Sequence, residues 1–131
     1  MHEQAVENLR VGLDLVEVEA VETTLRSPIA DRYLARVYTR GEVRDCTTDG
    51  KVDPRRLAAR FAAKEAAMKA LRVGDRAVPW RSIEVRREED GAPTLSLHGA
   101  AAELARTTGL TWFAVSLAHE HAYASAVVVA R

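Results

Sequence analysis

A glutamate and a lysine one helical turn apart are the first residues whose types and spacing could do chemistry. Glu65 and Lys69 lie at positions i and i+4 of the segment RRLAARFAAKEAAMKALR. An exposed pair in this order stabilises a helix by a few tenths of a kcal/mol. From spacing alone, this structural role is the preferred interpretation.

An aspartate in the middle of an aliphatic segment changes that balance. Asp14 lies within RVGLDLVEV, where an acid is poorly tolerated unless it is paired, hydrogen-bonded or bound to a metal. A buried ion pair with an arginine is the commoner case. Two carboxylates near an apolar boundary could instead hold Mg²⁺ together with substrate phosphates. Lys64 and Lys69 would then suit the phosphates, and both alternatives stay open.

Other candidate groups carry weaker signals. His119 ends the segment WFAVSLAH, where a lone histidine is more often a core residue than a catalyst. Ser116 lacks the G-x-S-x-G turn of a hydrolase nucleophile. His119 and His121 alone make a poor zinc site. Neither a P-loop nor a G-x-G-x-x-G motif is present.

Composition narrows the class of protein. The 131 residues, 47% of them hydrophobic and 29% charged, predict one globular domain over residues 1–131. A net charge of +0 gives no reason to expect a nucleic acid or membrane partner. The single Cys46 excludes an internal disulfide, and MHEQAVENLR does not look like a signal peptide. We therefore expect a cytoplasmic protein.

The balanced total hides two charged segments. Residues 1–25 carry six acids against one base, whereas residues 51–76 carry eight bases against three acids. Such runs are usually solvated helix faces. Segregation on this scale nevertheless makes the two segments candidates for binding opposite charges.

The chain alternates irregularly between predicted strands and helices, which indicates an α+β fold with an antiparallel sheet, a long central helix and shorter helices. The predicted elements are a strand over 10–18, helices over 19–37 with a break near Ser27-Pro28, a helix from Pro54 to Arg72, two strands joined at Asp90-Gly91, a helix from His98 to Arg106, and strands near 111–118 and 123–130.

The long helix carries the clearest pattern. Asp53 is a good N-cap, Pro54 suits the first helical position, and Gly74 follows its end. One stripe is a predicted core face, made of Leu57, Phe61, Met68 and Leu71. Alanines cover most of the rest, so other backbones could approach this helix on several sides.

Several segments, taken together, resemble one protein family. GLDLVEVE (12–19) resembles the G-[IL]-D-[IL]-V-E opening of the holo-[acyl-carrier-protein] synthases, the small type of 4′-phosphopantetheinyl transferase. RFAAKEAAMKAL (60–71) is similar to the family's R-[FW]-A-A-K-E-A-x-x-K-A signature. RYLARVYTRGE (32–42) and VSLAHEHAYASAVV (115–128) resemble its two other segments in the same order.

The resemblance implies transfer of 4′-phosphopantetheine from coenzyme A to a serine of apo acyl carrier protein. Adenosine 3′,5′-bisphosphate would be released. Asp14 and Glu65 match the acids that hold Mg²⁺ against the coenzyme A pyrophosphate. Lys69 and His119 match residues that contact coenzyme A phosphates, and with Glu65 they form the expected catalytic set. The proton acceptor would be Glu65 or a metal-bound water.

The same resemblance assigns the remaining binding residues. Arg60 and Lys64 would bind the cofactor, by steadying either the acids or the leaving group. The Gly91–Pro93 turn would border the adenine. The family also implies a homotrimer with active sites at subunit interfaces, the first acid coming from one chain and the signature helix from its neighbour.

One feature departs from the family pattern. A base that docks the acidic carrier protein is expected two or three positions after V-E, where this chain has Glu19, Ala20 and Val21. Docking would therefore use nearby arginines, which are Arg26, Arg32, Arg36 or Arg40. Glu120, which follows His119, could assist catalysis or be merely exposed, and the exposed role is preferred.

Two other activities fit parts of the pattern. A coenzyme A or nucleotide sensor would keep the pocket without turnover, but it has less need of both acids and both lysines. A metal-dependent phosphodiester hydrolase could use Asp14, Glu65 and His119, but it lacks further ligands for a two-metal site. The transferase is the preferred hypothesis.

Overall fold

The computed structural model describes residues 8–131. Its helices are α1 (Val18–Leu25), α2 (Ala30–Val37), α3 (Arg40–Asp45), α4 (Pro54–Leu71) and α5 (Gly99–Thr108). Its strands are β1 (Arg10–Glu17), β2 (Thr47–Thr48), β3 (Lys51–Val52), β4 (Ile83–Arg87), β5 (Pro93–Leu97), β6 (Phe113–His119) and β7 (Tyr123–Ala130). Within residues 8–131, no helix is long and apolar enough to cross a membrane.

Strands β1, β7 and β6 form an antiparallel sheet in that order, with β7 in the centre. Asp14 on β1 and Leu117 on β6 both pair with Ala126 of β7. Helix α4 packs across the sheet, while β2–β3 and β4–β5 are separate antiparallel hairpins. The register places Asp14 and His119 on opposite edge strands, about 10 Å apart across the sheet.

Helix α4 begins as its sequence predicts. The Asp53 side chain accepts a hydrogen bond from the backbone N–H of Arg55, and Pro54 occupies the first turn. The helix ends at Leu71, one residue before the predicted Arg72. Arg72 itself adopts the left-handed conformation, with φ of 55°. The helix is therefore ended by Arg72, two residues before the Gly74 that the sequence suggested for this role.

The predicted core stripe of α4 is only partly correct. Leu57 and Leu71 are buried, but Phe61 and Met68 are half-buried. Phe61 stacks on Trp80 with 5.0 Å between ring centroids. The most completely buried surface of the helix is instead its set of alanines, which are Ala58, Ala59, Ala62, Ala63, Ala66, Ala67 and Ala70. Elements of the same chain therefore cover the helix on several sides.

The opposite face of the sheet is apolar and uncovered in a single chain. Val11, Leu13 and Leu15 of β1 point away from α4 and are 59%, 63% and 64% exposed. Val127 and Val129 pair with Leu13 and Val11 in the register of β1 and β7 and extend the same face. Contiguous exposed apolar surface of this kind marks an interaction site.

Gly12 lets β1 cross α4 at very short range. A Cβ at this position would overlap the carbonyl oxygen of Ala66 and would lie 2.8 Å from its carbonyl carbon and 3.0 Å from the Ala70 nitrogen. These neighbours are helix backbone and cannot rotate away. The contact therefore fixes the depth at which Asp14, two residues later, lies against the helix.

We expect Gly12→Ala to destabilise the fold by about 1–3 kcal/mol or more, because β1 and α4 must move apart to admit the methyl group. Thermal unfolding of the two proteins measures this loss. Gly41→Ala is a matched control, since its Cβ would meet only the movable end of the Arg86 side chain. Equal unfolding temperatures for Gly12→Ala and wild type would contradict the close-approach role.

Candidate active site

The structure brings Asp14, Glu65 and Lys69 together at the edge of the sheet. Lys69 Nζ lies 3.1 Å from Asp14 Oδ1 and donates to the carbonyl oxygen of Leu13 at 2.8 Å. The Asp14 side chain is 19% exposed and that of Lys69 is 54% exposed. Asp14 is thus paired with a lysine of α4 and not with an arginine, the commoner partner. The pair is open to solvent.

Glu65 lies close enough to Asp14 for the two carboxylates to repel one another. Partial burial raises the pKa of Glu65 above its ordinary value, and the charge of Asp14 raises it further. The ammonium of Lys69 opposes this shift of the Glu65 pKa. Two acids held together in this way favour a cation between them.

The donor set of this acid pair fits Mg²⁺. Asp14 and Glu65 supply carboxylate oxygens, and the Lys69 ammonium shows that a cation is accommodated beside Asp14. Residues 8–131 contain no group of three or more acidic, histidine or cysteine side chains that could hold a metal. Mg²⁺ usually binds one or two carboxylates and takes its other ligands from water and substrate phosphates, which matches a pair rather than a cage.

A second site lies on another side of α4. A cleft of about 360 Å³ is lined by Arg60 of α4, His119 of β6, and Gly91 and Pro93 of the β4–β5 turn. These are four of the residues that the sequence assigned to coenzyme A. Its lining also includes Arg56 and Arg87. We call this feature the cation cleft, after the positively charged arginine side chains that line it.

The sequence reasoning missed Arg56 and Arg87. Arg56 lies one turn before Arg60, so the helical repeat alone places the two guanidinium groups on one face of α4. Arg87 ends β4 immediately before the turn that carries Gly91. No local signal marks Arg87, because its place in the cleft depends on how the β4–β5 hairpin folds beside the helix.

Arg60 has bonding capacity left for a ligand. It is 5% exposed, and its Nε has no hydrogen-bond partner among residues 8–131. Its Nη1 donates only a long bond, of 3.4 Å, to the carbonyl oxygen of Arg56. A buried guanidinium N–H without an acceptor is costly, so an anion in the cleft would satisfy it.

Lys64 does not reach either site. Its ammonium is fully buried, 2.7 Å from Glu42 Oε1, and it donates to the carbonyl oxygens of Trp80 and Ile83. These three partners use all of its donors. Lys64 therefore pairs with Glu42 and with neither Asp14 nor Glu65, and it has no donor left for a coenzyme A phosphate.

The acid pair and the cation cleft face different directions. Arg60 and Lys69 are nine residues apart, which separates them by about 13 Å along α4 and half a turn around it. Asp14 and His119 lie on opposite edges of the sheet that α4 crosses. The two sites are therefore separate surfaces of one chain.

The structure corrects one expectation drawn from the family resemblance. Asp14 was expected to meet the signature helix of a neighbouring chain, but it contacts Lys69 of its own chain.

The arrangement matches a known class of enzyme. Residues 10–127 match the family model described as the 4′-phosphopantetheinyl transferase superfamily. The chain belongs to this superfamily. The match covers the strand that carries Asp14, the whole of α4 and the strand that carries His119.

Within the superfamily, the relatives are holo-[acyl-carrier-protein] synthases, and this chain belongs to that group. It is 45% identical to the Moorella thermoacetica synthase, with 92% of each chain covered. It is 43% identical to the Koribacter versatilis synthase, with 92% of this chain and 96% of that protein covered.

Solved structures confirm the α+β fold. The Chronobacterium ammoniagenes synthase, described as a complex with coenzyme A, superposes with a TM-score of 0.80 at 29% identity, covering 94% of this chain and 96% of that one. The Helicobacter pylori synthase in complex with coenzyme A gives 0.79 at 25% identity, covering 92% and 99%. The prediction of the family from the sequence is confirmed.

Proposed function

We propose that this chain transfers 4′-phosphopantetheine from coenzyme A to a serine of apo acyl carrier protein in a Mg²⁺-dependent reaction. The observation that carries the proposal is the pairing of two carboxylates beside Lys69 with a separate cleft rich in arginine. Coenzyme A has a pyrophosphate and a further phosphate on its ribose, so it needs both a metal-binding acid pair and a cationic pocket.

The acid pair would hold the pyrophosphate end of the substrate. When bound, Mg²⁺ supplies positive charge that stabilises the diphosphate as its bond to phosphopantetheine breaks. Asp14 and Glu65 would hold the metal, and Lys69 would turn from Asp14 to a phosphate oxygen. Phosphoryl transfer depends mainly on positioning and electrostatics, which these three side chains provide.

The transfer forms one bond and breaks another. The serine oxygen of the carrier protein bonds to the phosphorus of phosphopantetheine phosphate, and adenosine 3′,5′-bisphosphate leaves with the electron pair of the broken P–O bond. The serine proton needs an acceptor. Glu65 and a water held by the metal are the two candidates.

The cation cleft would hold the adenosine end. Arg60 offers an unpaired N–H, and Arg56 and His119 lie on the same cleft. Guanidinium groups bind phosphate through paired hydrogen bonds. The Gly91–Pro93 turn closes one side of the cleft, where it would border the adenine ring.

The proposal includes a homotrimer with shared sites. One chain separates its acid pair from its cation cleft. The exposed apolar residues Val11, Leu13 and Leu15 lie on β1, on the face opposite Asp14. Because β1 is an edge strand, a neighbour that buries this face would also reach the edge of the sheet at which Asp14 lies. We therefore propose that each active site combines the acid pair of one subunit with the cation cleft of the next.

Carrier protein docking would use α2 and α3 rather than α1. Helix α1 presents Glu19, and its flanking Arg26 already pairs with Glu22 at 3.8 Å. Exposed arginines follow at every fourth residue, at positions 32, 36, 40 and 44, and none forms an ion pair with another residue of the described 8–131. Unpaired positive charge of this kind suits an acidic partner.

We expect Arg36→Glu combined with Arg40→Glu to raise the KM for the carrier protein about tenfold or more, while the KM for coenzyme A stays unchanged. Charge reversal at an interface rim acts mainly on encounter with a charged partner. Steady-state kinetics with each substrate varied in turn measure both constants. Arg106→Glu on α5 is the control, and an equal effect in that variant would contradict docking at α2 and α3.

The reaction itself is tested by mass spectrometry. The protein is mixed with coenzyme A, Mg²⁺ and apo acyl carrier protein, and the carrier protein is weighed. We expect a mass gain of one phosphopantetheine group, which disappears with a chelator. Several carrier proteins from fatty acid and polyketide synthesis should be tried, and no gain with any of them would overturn the proposal.

We also propose a cytoplasmic role, with fatty acid biosynthesis as the process that uses the product. The one cysteine, Cys46, is free and buried, as is usual for proteins in reducing compartments. A fatty acid carrier protein should then be modified at least as fast as a polyketide carrier protein in the same assay.

A further inference from the structure

The carboxylate of Glu42 joins three parts of the fold. Glu42 is completely buried in the first turn of α3, where its Oε1 accepts a hydrogen bond from the Thr39 N–H at 2.8 Å. The Thr39 hydroxyl in turn accepts one from the Glu42 N–H at 3.1 Å. Glu42 Oε2 accepts a bond from the Val85 N–H of β4 at 2.8 Å. Capping α3 accounts for only part of these contacts.

The remaining contact of Glu42 is with α4, the helix that carries the family signature. Lys64 Nζ lies 2.7 Å from Glu42 Oε1, and both side chains are fully buried. The same ammonium donates to the carbonyl oxygens of Trp80, at 3.1 Å, and of Ile83. Since every donor of Lys64 has a fixed acceptor, the rotation of α4 about its axis is fixed at this residue.

Glu65 lies between two such fixed points. Successive helical residues are about 100° apart, so Lys64 and Ala66 point to nearly opposite sides of α4. Lys64 is held by α3 and β4, and Ala66 is held by the close approach of Gly12. Glu65 projects between these sides, toward Asp14.

We infer that Glu42 and Lys64 are positioning residues that set the angle at which Glu65 meets Asp14. This inference rests on the proposed Mg²⁺-dependent transfer, and it adds residues that touch neither substrate nor metal. A small rotation of α4 would move the Glu65 carboxylate away from Asp14, whereas the cation cleft keeps Arg87, Gly91, Pro93 and His119, which do not lie on α4. Loss of the buried pair should therefore weaken metal binding and turnover before it weakens coenzyme A binding.

The test uses the full chain carrying Lys64→Met together with Glu42→Gln. Removing both charges avoids leaving one of them buried and unpaired. We expect kcat to fall about 10–100-fold, the range typical when partners of metal ligands are removed. The KM for coenzyme A should stay near the wild-type value. Mn²⁺, used as a paramagnetic probe, should bind the coenzyme A complex about tenfold more weakly.

The control is Leu104→Ala, which opens a cavity in α5 away from the acid pair. It should lower the unfolding temperature without changing Mn²⁺ affinity. If the double variant behaves like this control, the pair is merely structural and the inference is wrong. If the double variant does not fold, Lys64→Gln combined with Glu42→Gln is measured in the same way, and failure of both to fold also overturns the positioning role.

The wild-type measurement separates this inference from the proposed function. A wild-type protein that transfers nothing in the presence of Mg²⁺ contradicts the proposed function. Normal wild-type transfer with unchanged Mn²⁺ affinity in the double variant contradicts only the positioning role of Glu42 and Lys64.

Discussion

Glu65→Gln should abolish phosphopantetheine transfer while the protein remains folded. The substitution removes one of the two carboxylates that would hold Mg²⁺, and with it one of the two candidate acceptors of the serine proton. We expect kcat to fall by about 10³-fold or more, as when a single group acting directly on the transition state is lost. The mass-spectrometric transfer assay measures the loss, and circular dichroism confirms the fold.

The same variant should be more stable than the wild type when no metal is present. The pKa of Glu65 is raised in the folded protein, so the folded state holds this proton more tightly than the unfolded chain. The stability contributed by this group is therefore present at low pH and is lost as the pH rises through the folded pKa. Glu65→Gln should unfold at a higher temperature than wild type at pH 8 and at a similar temperature near pH 4.

Two outcomes would contradict this account of Glu65. Normal transfer by Glu65→Gln would show that the acid pair is assigned to the wrong residues. An unfolding temperature at pH 8 below that of the wild type would show that the carboxylate stabilises the metal-free protein. Glu103→Gln on α5 is the matched control, because it makes the same change at an exposed glutamate that takes no part in the acid pair.

Local sequence patterns were sufficient for the elements that carry the site. Asp53 and Pro54 marked the start of α4, and its predicted end was wrong by one residue. The strand predicted over 10–18 is β1, and its burial alternates, with Asp14 on the face opposite Val11, Leu13 and Leu15. These predictions succeed because caps and strand alternation depend on residues only a few positions apart.

The short elements between residues 38 and 53 were not predicted. Helix α3 has six residues, and β2 and β3 have two each. Such elements are too short for a hydrophobic period to be visible. Helix α3 is held instead by the Thr39–Glu42 capping box, and by contacts to β4 and α4 that are distant in sequence.

The role of Lys64 also could not be predicted from the neighbouring sequence. Its place in the signature next to Glu65 suggested a role at the cofactor, and spacing could not tell on which side of α4 it would be buried. Glu42, its partner, is 22 residues earlier, and Ile83 is 19 residues later. Long-range pairing decides the role of a buried lysine, because the charge must find a partner wherever the fold places one.

Mixing two inactive variants should restore activity if subunits share their sites. Glu65→Gln removes the acid pair of a chain and leaves its cation cleft intact. His119→Ala damages the cation cleft and leaves the acid pair intact. A mixed trimer, with two chains of one variant and one of the other, has one site in three that joins an intact acid pair to an intact cleft, which predicts about a third of wild-type activity.

Coexpression with two different affinity tags, followed by purification on both, isolates the mixed trimers for this measurement. A site built within one chain would give no gain over the two parent variants, because every chain would carry one defect. The separation of the acid pair from the cation cleft by the width of α4 favours restoration. A further substitution, Leu13→Asp, places charge on the exposed apolar face and should prevent both assembly and the recovered activity, since the neighbour that completes each site would no longer bind.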